Sequence, residues 1–164
     1  MKILLIHFRR VCVTAGLIFA AYYLALCVGS RFILALPWSP SISGHVFCVV
    51  RGPVIPRRGM LVAFRPPQTP YAPAGMWWMK YVVGLPGDRI QIKGREVWVG
   101  GIWRGHCAAR ARQDGAALQC TKAGIIPAGY VFVWGTHPRS FDSRYAEVGL
   151  INEKDFMGHG IRLF

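Results

Sequence analysis

Residues 76–88 read Met76-Trp77-Trp78-Met79-Lys80-Tyr81-Val82-Val83-Gly84-Leu85-Pro86-Gly87-Asp88. The first eight are aromatic, β-branched or long apolar residues around one lysine, the composition of a buried strand. The last five are a stop signal, because proline presets φ and the following glycine accepts the positive φ of a tight turn. Side chains alternate along a strand, so Lys80 shares its face with Trp78 and Val82. Two readings are open. The stem of Lys80 packs while its head snorkels into water, or the whole side chain is desolvated and its pKa falls toward that of a neutral amine. A neutral amine is a base, and a serine hydroxyl is a poor nucleophile without one. The candidate serines lie in Ser39-Pro40-Ser41-Ile42. The histidines (His7, His45, His106, His137, His159) form no recognisable Ser-His-Asp arrangement, which leaves a Ser-Lys dyad as the available variant of triad chemistry.

Working outward, short apolar runs alternate with turn residues along the chain. HVFCVV (45–50) and MLVAF (60–64) read as strands. Between them, RGPVIPRRG is a turn-rich connection. RPPQTPYAPAG (65–75) carries four prolines and belongs in an exposed loop rather than a sheet interior. RIQIKG and REVWVGG alternate at period two, predicting a hairpin turning near Lys93-Gly94. IPAGYVFVWG (126–135) is a further strand, and GIRLF (160–164) closes the sheet. The passage RFILALPWSPSISG (31–44) is punctuated by Pro, Ser and Gly and reads as a connection. An irregular excursion is expected over about 94–124, its pattern lost from about Ile102 onward. The fold class is therefore mainly β, in keeping with 19 Gly and 11 Pro among 164 residues. An apolar share of 53% excludes a disordered chain.

Three segments now combine. Lys80-Tyr81-Val82-Val83-Gly84-Leu85-Pro86-Gly87-Asp88 resembles the lysine box of type I signal peptidases. Ser140-Phe141-Asp142-Ser143-Arg144-Tyr145 resembles their late S-x-D-S-R-Y box, and Arg58-Gly59-Met60-Leu61-Val62-Ala63-Phe64 the strand after their nucleophile box. Order and spacing agree over most of residues 37–150. The resemblance implies a signal-peptidase/LexA-like β-sheet fold and a serine endopeptidase that cleaves exported precursors. Position by position it makes Ser41 the nucleophile and Lys80 the general base, with the Ser39 hydroxyl and the Ser41 backbone N–H as oxyanion donors. Ser140 then orients the lysine amine, and Asp142 and Arg144 form a bracing ion pair. It implies no cofactor and no metal. The sequence departs from the family pattern in three places. Ile42 stands where the nucleophile box has Met. Gly135-Thr136-His137 stands where general leader peptidases have G-D-N. No proline follows Ser41 by two residues, so Ser43 remains a rival nucleophile, as does Ser39.

The N-terminal end sets the compartment. Val11 to Val28 carry no formal charge, and such a helix of 18–20 residues reaches about 27–30 Å, enough to cross a hydrocarbon core. Lys2, His7, Arg9 and Arg10 precede it, so the positive-inside rule keeps the N-terminus in the cytoplasm. This gives a basic cytoplasmic segment (1–10), a single transmembrane anchor (11–29) in the bacterial inner membrane, and a periplasmic peptidase domain (30–164). A cleavable secretory signal is the alternative, though the run is long for one and lacks a clean A-x-A site. The formal net charge of +13 suits an anionic membrane surface rather than nucleic acid, given an exported domain. Trp77 and Trp78 are candidates for the lipid interface, with core packing expected of at least one.

Cys12 and Cys27 fall in the anchor and Cys48 in a core run. Cys107 and Cys120 are expected to form a disulfide in an oxidising compartment. A metal site on His106, Cys107 and Cys120 lacks the paired C-x-x-C spacing. The single anchor and Pro138-Arg139-Ser140-Phe141-Asp142-Ser143-Arg144-Tyr145 resemble the conjugative-transfer (TraF-type) branch, which implies a pilin-like precursor as substrate and other transfer-apparatus proteins as partners. A general leader peptidase, a non-catalytic envelope component and a LexA-type autoprotease are the competing readings. The last is disfavoured by the N-terminal span.

Overall fold

The computed structural model describes residues 2–72 and 75–164. Pro73 and Ala74 of the proline-rich loop, and Met1 of the N-terminal segment, lie outside the described residues. The chain opens with α1 (Lys2–Arg31), whose stretch Cys12–Arg31 has a mean hydropathy of 2.0 and no side chain buried against the rest of the protein. It is long and apolar enough to cross a membrane. The helix passes directly into β1 (Phe32–Ala35), a strand where the sequence suggested only a connection. Pro37 and Pro40 follow it closely, and its strand character comes from pairing with β2 (Phe47–Arg51) in the register Phe32↔Val50 to Ala35↔Phe47.

The expected strands follow: β3 (Leu61–Phe64), β4 (Trp78–Gly84), the hairpin β5 (Arg89–Lys93) and β6 (Glu96–Val99), and β9 (Tyr130–Trp134). The irregular excursion is shorter than the sequence suggested. β6 continues past a Gly100-Gly101 turn into β7 (Ile102–His106), and the pair holds register from Glu96↔His106 to Val99↔Ile102 with one bulge. That bulge breaks the two-residue alternation, which is why the pattern was lost to view. Two short strands, β8 (Gly124–Ile125) and β10 (Ile151–Asn152), also escaped notice for want of length. The C-terminal strand β11 (Phe156–Arg162) does not close the sheet at an edge. It lies between β2 and β3, in the middle of a seven-stranded sheet ordered β1-β2-β11-β3-β4-β9-β10. A second sheet, β7-β6-β5-β8, stands beside it.

The motif 84–88 joins the two sheets. The Asp88 amide donates to the Leu85 carbonyl (3.0 Å) across Pro86 and Gly87, whose φ of +89° only glycine adopts freely. The Asp88 carboxylate accepts from the Leu85 amide at 2.7 Å and pairs with Arg58 at 2.8 Å. Gly84 is needed for contact: a Cβ there would stand 2.6 Å from both Ile126 and Val99. Val83, Ile90, Val97, Val99, Ile126 and Phe132 fill the core between the sheets. Val62, Phe64, Val82, Val131 and Val133 fill a second core, with Trp78 packed against it. Trp78 meets Phe64 and Phe141 edge to face, and half-buried Trp77 lies under the Arg51 guanidinium. Core packing is thus the fate of Trp78.

Residues 107–123 run without regular structure, tied down by backbone contacts. The Arg95 guanidinium donates to the carbonyls of Cys107 (2.7 Å), Ala108 and Leu118. The Ala108 amide donates to the Tyr145 hydroxyl, and the Thr121 amide to the Arg144 carbonyl. The expected disulfide is absent. Cys107 and Cys120 are free thiols in contact with each other, and Cys107 is fully buried. Its thiol is pushed up to about 12, first by burial and then by the neighbouring sulfur. His106 faces Glu96 instead. A thiol this reluctant to ionise is a poor nucleophile. Iodoacetamide at pH 8 is therefore expected to leave Cys107 unmodified in the folded chain and to alkylate it after unfolding, read by peptide mass spectrometry. Alkylation in the folded state, or a bridged Cys107–Cys120 peptide, would contradict this arrangement.

Candidate active site

Lys80 stands in the middle of β4, opposite Val62 of β3. It is 4% exposed, and its amine lies 5.7 Å from the centre of the Trp78 ring. The snorkelling alternative therefore fails: the head is buried with the stem. Burial is the largest influence on the amine, lowering its pKa from 10.5 to about 8. The Asp142 charge opposes the shift and the Arg144 charge adds to it. The amine keeps one hydrogen bond, donated to Ser140 Oγ at 3.0 Å.

Ser140 comes from the turn after β9, and its 2% exposure reflects a rigid setting. Its amide donates to the His137 carbonyl at 2.9 Å. Beyond it, Asp142 and Arg144 are buried together. Arg144 Nε reaches Asp142 Oδ1 at 2.8 Å and Nη2 reaches Oδ2 at 2.9 Å, a planar two-point pairing. The remaining valences are used as well. The carboxylate accepts from the Gly135 amide (2.9 Å) and the Arg144 amide, while Arg144 Nη2 donates to the Ser140 carbonyl (2.9 Å). A buried ion pair costs more in desolvation than it returns unless such extra bonds complete it. Gly105 of β7 makes room for it, since a Cβ there would lie 2.7 Å from Arg144 Nη1. Asp142 and Arg144 are thus joined as an ion pair on the turn that presents Ser140.

The serines lie in the connection between β1 and β2. Ser39 Oγ and Ser41 Oγ share a hydrogen bond of 2.9 Å. Among the described residues the Ser41 hydroxyl thus meets Ser39, while the Lys80 amine meets Ser140. Ile42, the departure from the expected Met, is 4% exposed and packs with Phe47 and Leu61 against Met79 and Tyr81, so it pegs this loop onto the sheet. Ser43, the rival nucleophile, is exposed and its hydroxyl faces Thr136 at 3.3 Å.

Gly135 brings the loop and the turn together, a role visible in the sequence only as the departure Gly-Thr-His. A Cβ at Gly135 would stand 2.1 Å from Ser140 Oγ and 2.5 Å from the Ser41 carbonyl. Both groups therefore close over the same bare Cα, and any side chain would push them apart. The Gly135 position in turn is fixed by Asp142 through its amide.

The arrangement gives a desolvated amine beside one serine and next to a loop presenting two more, which suits acyl transfer at an amide. Comparison with known proteins gives a consistent result. Over 67 residues, 41% of this chain, it is 31% identical to the conjugal transfer protein TraF of Agrobacterium fabrum, aligning with 38% of that relative's length. A signal peptidase I of Enterococcus faecalis, known from a crystal structure, superposes with a TM-score of 0.41 at 21% identity, covering 66% of this chain and 98% of that one. The family described as signal peptidase, peptidase S26, matches residues 7–164, a span that holds the lysine strand, the serine loop and the Asp142–Arg144 turn. The chain belongs to that signal peptidase family.

Proposed function

We propose that this signal peptidase works through a Ser41–Lys80 dyad on precursors delivered to it at the outer face of the bacterial inner membrane. The observation that carries the reading is the Lys80 amine: buried against Trp78, lowered to about 8, and aimed by Ser140. Acylation begins when the Ser41 hydroxyl leaves Ser39 and offers its proton to neutral Lys80. The oxygen then attacks the scissile carbonyl. The tetrahedral oxyanion accepts from the Ser41 N–H and the Ser39 hydroxyl, donors typically worth about 3–4 kcal/mol each when preorganised. The lysine ammonium protonates the departing amine, and water releases the acyl-enzyme to regenerate Ser41.

The anchor supports the location. In this reading α1 spans the membrane with Lys2, Arg9 and Arg10 on the cytoplasmic side, and the domain from about residue 30 is periplasmic. β1 follows the helix immediately and leads to Ser39, so the serine loop is tethered close to the bilayer. β1 stands at the sheet's edge, and Leu34 on it and Leu36 and Trp38 just after it are 67%, 72% and 92% exposed. An extended precursor emerging from the membrane finds here both free backbone groups and apolar surface. The likeness to TraF over part of its length supports a pilin-like or other conjugative-transfer precursor as the substrate, and transfer-apparatus proteins as partners. The general leader peptidase is the second reading, favoured by the family match alone.

Ser41→Ala and Lys80→Ala are each expected to lower processing of such a precursor by at least about a thousandfold while leaving the protein membrane-bound. Gel-shift processing of a co-expressed precursor, with fractionation, reads both. Normal processing by either variant removes that residue from the dyad. Lys80→Arg is expected to be equally inactive, because a guanidinium stays protonated. The pH dependence has a definite sign. The base must be neutral, and its folded pKa is lowered to about 8, so kcat/KM should rise about tenfold per unit below pH 8 and level off above it. A flat profile between pH 6 and 9 would contradict an amine base.

A further inference from the structure

Ser43 of the serine loop and Thr136 of the turn after β9 touch each other. Ser43 is exposed, and no proline stiffens the loop after Ser41. The next residue, Gly44, sits at φ +133°, so this stretch has little stiffness of its own. Thr136 lies across from it, in the run that replaces G-D-N. The Ser43 amide donates to Thr136 Oγ1 at 3.2 Å, and the two hydroxyls share a second bond of 3.3 Å. One residue after Thr136 and two before Ser43, the His137 amide donates to the Ser41 carbonyl at 3.3 Å. Residues 41–43 are therefore laced to residues 135–137 by three polar contacts around the bare Cα of Gly135.

The same turn holds the other half of the site. The Ser140 amide is bound to the His137 carbonyl, and Ser140 Oγ receives the Lys80 amine. Five residues of chain, Thr136 to Ser140, thus connect the contact on the serine loop to the contact on the lysine. Any slack at Thr136 becomes slack in the Ser41–Lys80 separation, and in the aim of the Ser41 N–H.

We infer that Thr136 and Ser43 are positioning residues: their hydroxyl pair locks the nucleophile loop from the end of β9. This rests on Ser41 and Lys80 forming the dyad. It also gives Ser43 a role other than nucleophile, because its hydroxyl is engaged with Thr136. Neither residue touches the reacting atoms. Their loss should misplace the nucleophile in the transition state and leave precursor binding along β1 intact.

The test uses the full chain in detergent micelles with a quenched fluorescent peptide carrying small residues before the cleaved bond. Thr136→Val keeps the shape and removes the hydroxyl. It is expected to lower kcat about five- to tenfold, the worth of a net hydrogen bond or slightly more, with KM changed less than twofold. Ser43→Ala, at an exposed position where folding is not at stake, should do the same. The double variant should be no worse than the poorer single one, because both break one device. Thr136→Ser should recover most of the lost kcat. Wild-type kcat in Ser43→Ala and Thr136→Val, a defect confined to KM, additive losses, or failure of Thr136→Ser to rescue would each overturn the inference. Should Thr136→Val lower the melting temperature, Ser43→Ala and Thr136→Ser still decide it. Activity retained by Ser41→Ala would instead overturn the dyad itself, a result separable from all of these.

Discussion

An amine has been taken out of water at Lys80, and most of the architecture around it follows from making that tolerable and useful. Burial disfavours the ammonium form. Two charges nearby act in opposite directions, Asp142 favouring the ammonium and Arg144 the neutral amine. Burial has the largest effect, and the two charges, bonded to each other in a two-point pair, act against each other at Lys80. The same pair is a mechanical brace for the turn that carries Ser140.

That turn, residues 135–145, is where the fold concentrates its precision. It springs from β9, which pairs with β4 through Tyr81↔Trp134, so it begins one residue from the neighbour of Lys80. Four groups converge on it: the Asp142 carboxylate, the Arg144 guanidinium, the Ser41 carbonyl and the Lys80 amine through Ser140. Gly135 lets them converge because it offers no side chain to be accommodated. The second sheet contributes from behind, where Gly105 leaves room for Arg144 and the 107–123 segment bonds to Tyr145. The free thiols Cys107 and Cys120 are part of this backing, the first as a small apolar filler.

Much of this was legible in the sequence, and the residues show why. Strands β2, β3, β4, β5, β6 and β9 announced themselves through β-branched runs bounded by Gly and Pro. Lys80 stood out as the one charge in such a run, and Gly-Leu-Pro-Gly-Asp folds as its local chemistry dictates. What was hidden depends on partners distant in the chain. β11 was expected to close the sheet, yet it is central, because pairing of residues 158–162 with 47–51 and of 156–160 with 61–64 leaves no local trace. β7 was masked by a bulge. The contact of Thr136 with Ser43 joins residues 93 positions apart, so each looked like an unexplained departure by itself. The expected disulfide failed for a different reason: the two sulfurs meet as thiols.

The most direct measurement of the central claim is the titration of the Lys80 side chain itself. In a chain carrying 13C-labelled lysine, the ε-methylene resonance missing from Lys80→Ala belongs to this residue, and its shift can be followed against pH. A midpoint near 8, well below the ordinary lysine value of 10.5, is what a buried amine held by Ser140 requires. A midpoint at the ordinary value would mean that Lys80 stays charged in the folded protein, and the account of it as a base would be wrong.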